Sequence, residues 1–250
     1  MPEIKKPRYQ EPPLPEIDVE EFRKVVMTRR SVRRFTDEPI PEAVLQDCLD
    51  MALLAPNSSN LQPWEFYLVR SPEKRAAMAK ACLNQNAAKT AAELIVVVAR
   101  TATWKRHSTE VLEHWPEETI PRVVEEYYKK GAKVHYGRLP LDPMGKVKKF
   151  IRNVAGLSRP FPRWPNSQSD MELWACKSTS LAAENLMLAL RAHGFDSCPM
   201  EGFDEKRLRR IVKLPSDALV LMVVGAGRRA ENGIYHAQIR FNRDRFIHEI

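Results

Sequence analysis

Much that would give a function away is missing from this chain of 250 residues. Its four cysteines, Cys48, Cys82, Cys176 and Cys198, are scattered, with no Cys-x-x-Cys pair. That argues against a zinc site or a disulfide framework and fits a reducing cytoplasm. No apolar run approaches the ~18 residues that a membrane span needs. The opening Met-Pro-Glu-Ile-Lys-Lys lacks the apolar core of a signal peptide, so a cytoplasmic protein without membrane partners is expected. The six histidines include no His-Glu-x-x-His and no pair at ligand spacing, and there is no Gly-x-Ser-x-Gly elbow. Ser58 and Ser59 have no evident base to activate them. Without a protein-borne nucleophile, acid or metal, an organic cofactor is expected to carry the chemistry.

What is present is ordinary in bulk, with 44% hydrophobic and 29% charged residues, but basic, with net charge +8. Such a charge suits an anionic partner. No zinc-finger spacing and no basic helix with heptads accompanies it, and a solvated basic surface explains it as simply.

Residues 1–17, with five prolines by residue 16, read as an extended arm. From residue 18 to 250 one α/β domain is the economical reading, with an insertion at about 104–168. Asp18 caps a first helix, Pro41 opens a second that runs to about Ala55, and Ser71-Pro72-Glu73 starts a third. Leu94–Val98, "LIVVV", and Ala218–Val224, "ALVLMVV", predict strands buried on both faces. The insertion predicts helices near 119–133 and 144–155. A long helix is expected from Leu173 to about His193, ended by Gly194, and a further one behind Asp204. "GAGRRA", 225–230, mimics a dinucleotide fingerprint, but too little chain follows it for a βαβ unit.

Two stretches stand out. In "RRSVRRF", 29–35, an extended chain would place Arg29, Ser31 and Arg33 on one side, and two guanidiniums flanking a hydroxyl make a phosphate clamp. A positive helix C-terminus answering the helix dipole is the plainer alternative. In "PNSSNLQPW", 56–64, a proline-bounded turn carries more hydrogen-bonding side chains than chain reversal requires and no glycine. Such groups can match the edge of a heteroaromatic ring.

Together, Arg29-x-Ser31-x-Arg33, Pro56-Asn57-Ser58-Ser59-Asn60-Leu61-Gln62-Pro63-Trp64, Asn86-Ala-Ala-Lys89 and "GFDSCPMEGF", 194–203, resemble the signature of the FMN-dependent nitroreductase family, in family order. The resemblance implies an α+β fold: a three-layer sandwich with a central mixed β-sheet flanked by helices, in an intertwined homodimer with FMN at the subunit interface. It implies that Arg29 and Arg33, with Arg30 and Ser31 beside them, hold the phosphate and ribityl region. Pro56, Asn57, Ser58, Asn60 and Gln62 would line the flavin, and Asn86 and Lys89 would reach its pyrimidine edge. Pro199, Met200, Glu201 and Gly202 would lie across the ring. Arg243 would be the second phosphate arginine, with Arg228 or Arg240 as alternatives. Two positions depart from the family pattern: Asn57 replaces a small hydroxyl residue, and Arg245 replaces a proline.

The activity so implied is NADH- or NADPH-dependent reduction of nitroaromatics, quinones or similar small electrophiles by a ping-pong mechanism. Reductive dehalogenation and flavin fragmentation are family variants. The first would need a lid with Glu-x-x-x-Tyr spacing, and "EEYYKK", 125–130, reads instead as a solvated helix face with Glu–Lys pairs. A nucleic-acid-binding protein is the alternative of another class, and it predicts steeply salt-dependent binding and no chromophore. Trp104, Trp115, Tyr127, Tyr128, Phe161 and Trp164 could stack on an aromatic substrate, though packing is their commoner use.

Overall fold

The computed structural model describes residues 12–137, 143–158, 160, 162 and 164–250, with side chains undescribed at 143–148. Most of the proline-rich arm, and Phe161, lie outside the described residues.

Each expected cap is present. The Asp18 carboxylate accepts from the N–H groups of Glu20 (2.8 Å) and Glu21 (3.3 Å) at the start of α1, Val19–Thr28. α2, Glu42–Leu53, begins just after Pro41. Ser71 accepts from the Lys74 N–H (3.3 Å) at the head of α3, Pro72–Ala81. The short α4, Asn86–Thr90, follows. β1, Trp64–Leu68, lies between α2 and α3, and β2, Glu93–Arg100, after α4.

The variable region is more helical than expected: α5, Trp104–Glu113, was not predicted, because its basic and polar side chains mask the pattern. α6, Arg122–Glu126, and α7, Ala132–Tyr136, are joined by a π-helical turn at Tyr127–Gly131, and α8 spans Pro143–Ser158.

α9 begins at Gln168, five residues before the expected start (173 − 168), and ends at Ala192. A capping box extends it: Ser167 Oγ accepts from the Asp170 N–H (3.1 Å) and Asp170 from the Ser167 N–H (2.9 Å). Gly194 at φ +82° ends this part of the chain in the left-handed conformation, as expected. β3, Asp196–Met200, α10, Glu205–Val212, capped by Asp204, and β4, Ala218–Gly227, complete the elements.

The strands lie in the order β1-β2-β4-β3. All three pairings are antiparallel, so the sheet of this chain is not mixed as expected; the parallel contact among the described residues is the isolated bridge between Ser31 and Ser197. Leu94 to Val98 of β2 are fully buried. Leu94, Val96 and Val98 pack with Met78, Ala88 and Leu208 of α3, α4 and α10, while Ile95 and Val97 pack with Leu45, Ala52, Leu186 and Leu190 of α2 and α9. Side-chain alternation thus lets one strand serve both outer layers, each such residue contributing about 1.5–3 kcal/mol over exposure. The three-layer sandwich is as expected. β4 departs from full burial: Leu219 to Met222 are half-buried.

"GAGRR" is no nucleotide turn, since Gly225 and Gly227 lie inside β4. A Cβ on Gly225 would stand 3.0 Å from the Ala87 carbonyl, so this glycine lets α4 approach the sheet.

Candidate active site

α1 gives way to extended chain at Arg29 (ψ 125°), its last cap. The following segment joins the sheet margin: Val32 N–H donates to Ser197 O (3.0 Å), Arg33 N–H to Gly233 O (2.7 Å) and Thr36 N–H to Arg228 O (2.9 Å). Val32 is fully buried and anchors the segment, so Ser31 and Arg33 project the other way. They border a cavity of about 650 Å³, with Arg30, Asn86, Tyr235 and His236 among its other walls and no carboxylate residue lining it. The expected alternation is displaced by one residue at its start. Arg30 borders the cavity and Arg29 does not, because Arg29 still belongs to the helix end.

Neutral groups hold these side chains in place. Arg30 Nη2 donates to His236 O (2.6 Å), Arg33 Nη1 to Cys198 Sγ (3.3 Å), and Asn86 Nδ2 to the Tyr235 hydroxyl (2.9 Å). No ion pair is made by Arg29, Arg30 or Arg33 among the described residues. Burial pushes the Cys198 thiol up, against the pull of Arg33, so it stays a thiol beside the guanidinium.

The remaining expected groups are dispersed. Lys89 borders a neighbouring cavity of about 570 Å³ with Arg70, Arg75 and Glu93. Pro199 sits within β3, Met200 is buried in the core, and Glu201 and Gly202 leave the strand exposed, with Gly202 O accepting from Gln85 Nε2 (2.8 Å). Arg228 is committed elsewhere: it pairs with both Glu38 oxygens (2.9 and 2.8 Å) and lies over the Phe195 ring. Arg240 and Arg243 stand on the exposed tail and border none of these cavities.

The polar turn is held by contacts that sequence reasoning missed. Ser59, Asn60 and Gln62 all adopt positive φ (60°, 47° and 43°), a conformation costly without glycine. Asn57 ties the loop from within: its Nδ2 donates to Ala55 O (3.3 Å) and its Oδ1 accepts from the Gln62 N–H (2.8 Å). The rest comes from the variable region. The Tyr136 hydroxyl, almost fully buried, bonds Ser58 Oγ (3.1 Å) and Ser59 Oγ (2.8 Å). Tyr127 also bonds Ser59 Oγ, and the Tyr128 hydroxyl donates to Ser59 O (2.9 Å). His107 Nδ1 donates to Leu61 O (2.7 Å). Both serine hydroxyls are therefore partnered by tyrosine, and no base activates either as a nucleophile. "EEYYKK" does carry the expected Glu125–Lys129 pair on its outer side. Its tyrosines, weighed in the sequence for stacking or packing, instead hold the turn through their hydroxyls.

These two clusters stand at opposite ends of the sheet. Ser31, Ser197, Ala226 and Glu93 form one row of pairings at the start of β2. The turn adjoins its end, where Arg100 N–H donates to Pro63 O (2.7 Å). At about 3.3 Å per residue, the strand separates them by on the order of 20 Å within one chain.

The Nitroreductase family profile matches residues 26–228. The chain belongs to the nitroreductase family. A relative from Thermus thermophilus named NADH dehydrogenase is 30% identical over 207 residues, 83% of this chain and 86% of that one. Among solved structures, the Bacillus subtilis nitroreductase ydfN superposes with a TM-score of 0.73 at 20% identity, covering 93% of this chain and all of that one. A nitroreductase from Exiguobacterium sibiricum in complex with FMN gives 0.64 at 22% identity, over 92% and 97%. Membership in the nitroreductase family makes this protein an oxidoreductase.

Proposed function

We propose that residues 18–250 form one FMN-binding domain that uses NADH or NADPH to reduce nitroaromatic, quinone or similar electrophilic acceptors by a ping-pong mechanism. The observation that carries this is the cavity in which, among the described residues, Arg30 and Arg33 have no carboxylate partner. Guanidiniums without counter-ions beside a hydroxyl and an amide match a phosphorylated ligand whose ring edge alternates donors and acceptors. The relative named NADH dehydrogenase and the FMN complex support the same reading. Held by these residues, FMN would supply two-electron redox chemistry between the reduced nicotinamide and the acceptor.

The chain's own part is to hold and to shield. Arg30, Arg33 and Ser31 neutralise and orient the phosphate end, with Arg29 at the helix margin. Asn86 offers its amide to the ring edge, and Glu201 and Gly202 bring exposed backbone beside it. The polar turn lies too far away to line the same flavin within one chain, so a second copy supplies it. α1 favours this homodimer: none of its residues is buried, and Phe22, Val26 and Met27 stand exposed, as do Phe241 and Phe246 of the tail. In such a dimer Arg240 or Arg243 can reach a phosphate from the tail. Unbonded cysteines suit the cytoplasm, and no described helix is long and apolar enough to cross a membrane.

Denaturing the purified protein, identifying the released chromophore, and following NADH and NADPH oxidation with a quinone tests the proposal. Colourless protein that takes up no FMN overturns it; flavin-loaded protein without turnover overturns the reductase activity.

A further inference from the structure

α8 is turned inside out. A surface helix ordinarily buries its apolar stripe and gives its charged residues to water. In α8 the buried residue is Arg152, 5% exposed. It donates through Nη1 to Pro165 O (2.6 Å) and Asn166 Oδ1 (3.1 Å), and through Nη2 to Val134 O (3.4 Å). Ala155 and Gly156, three and four residues on, share that side of the helix and are half-buried. Phe150, Ile151, Val154 and Leu157 recur at helical spacing on the other side and are 49–84% exposed. Arginine faces the protein and the apolar stripe faces water.

The same stretch is basic throughout. Residues 143–169 contain Lys146, Lys148, Lys149, Arg152, Arg159 and Arg163 and no aspartate or glutamate. An apolar stripe set in a cationic segment matches a surface that is anionic at its boundary and apolar beneath it. A second copy of this chain matches it less well, because a twofold contact through α8 would set the cationic segment against its own image. The exposed face of α1 is free for the homodimer proposed above.

We propose that α8 is a membrane-surface helix. It lies in the plane of an anionic lipid bilayer, with Phe150, Ile151, Val154 and Leu157 at the boundary between headgroups and acyl chains, while Arg152 holds it to the rest of the protein. Its 16 residues make a rod that runs along the surface and does not cross it. The expectation of no membrane partner rested on the lack of a spanning run, which a helix of this kind does not need. Binding is peripheral and reversible, and salt weakens it because the attraction between lysines and headgroups is screened. It is independent of the flavin chemistry proposed above.

Flotation of the full chain with vesicles tests this, using phosphatidylcholine mixed with phosphatidylglycerol and phosphatidylcholine alone. The protein is expected to float with the mixed vesicles at low salt and to stay behind with the neutral ones. Phe150→Gln combined with Leu157→Gln should lower the partition coefficient roughly tenfold or more. Both side chains are exposed, so the melting temperature should not move and lost binding is not lost folding. Lys146→Gln, Lys148→Gln and Lys149→Gln together should lower it roughly ten- to hundredfold. Phe150→Trp should add an emission component that shifts to the blue when mixed vesicles are added. Equal binding to both kinds of vesicle, no binding to either, or binding that the paired glutamines leave intact overturns the proposal. So does a Phe150→Trp emission that is blue-shifted without lipid and moves to the red on dilution, since a second copy would then cover this face.

Discussion

At the two ends of the sheet, polar side chains meet opposite fates. Where β2 ends, the arginine and the serine hydroxyls are answered by protein. Arg100 lies between Asp217 (3.0 Å) and Glu65, and the hydroxyls of Ser58 and Ser59 are taken by tyrosines. Where β2 begins, arginines from distant parts of the chain divide into two kinds. Arg191 and Arg229 share Asp196, and Arg228 holds Glu38, whereas among the described residues Arg30 and Arg33 meet neutral atoms alone. Folding explains the paired ones. Clustered cations without counter-ions repel one another and contribute nothing to folding by pairing, so the unpaired ones point to a ligand.

The sharpest break of that contrast is Asp196→Ala. This carboxylate is 3% exposed and accepts from Arg191 Nη1 (3.0 Å) and from Arg229 Nε (3.0 Å) and Nη2 (2.7 Å). Its removal strands two partly buried guanidiniums and should cost about 3–5 kcal/mol in chemical denaturation. A loss below about 1 kcal/mol would show that paired and unpaired arginines do not differ in this way. Arg33→Ala should act in the other direction. With no counter-ion lost, unfolding should shift by no more than about 0.5 kcal/mol. FMN affinity should fall roughly ten- to hundredfold, as for losing a charge-assisted hydrogen bond. Calorimetric titration with FMN measures it, and a stability loss like that of Asp196→Ala would erase the distinction.

At the other end, Tyr136→Phe keeps the ring and removes the hydroxyl between Ser58 and Ser59. A loss of about 1–1.5 kcal/mol is expected, and turnover should fall more than FMN affinity, because the phosphate arginines are untouched. Equal loss of both would mean that the two ends are not separate in function.

This asymmetry also marks what could be read from sequence. Asp18, Ser71, Asp204 and Gly194 announce helix ends through local chemistry, and each stands where expected. β2 was equally legible, since an unbroken β-branched run has no solvent-facing side. α5 and the early start of α9 were not: one has no clean apolar period, and the other depends on the reciprocal Ser167–Asp170 bonds. At the site, the arginine motif revealed chemistry but not side. Which of Arg29 and Arg30 turns inward depends on where α1 stops, a matter of one residue. The tyrosines behind the turn are some 70 residues away in sequence, joined to Ser59 by a fold that no local pattern encodes.

The smallest expected effect is in acid, and it too should be lopsided. Burial pushes the Asp217 carboxyl up, but the Arg100 guanidinium and the Ala102 N–H outweigh it and hold it below the usual carboxylate range. Asp170 behaves alike: burial raises it, and the N–H groups of Asn166 and Ser167 at the head of α9 more than reverse that. A carboxylate whose folded pKa lies below its unfolded value of about 3.9 lends stability that is whole above that pH and is lost as pH falls towards the folded pKa. The melting temperature should therefore hold above about pH 5 and decline below about pH 4, and Asp217→Asn should flatten part of that decline. A slope that Asp217→Asn leaves unaltered would place the acid-sensitive contacts elsewhere than at the Arg100 end of the sheet.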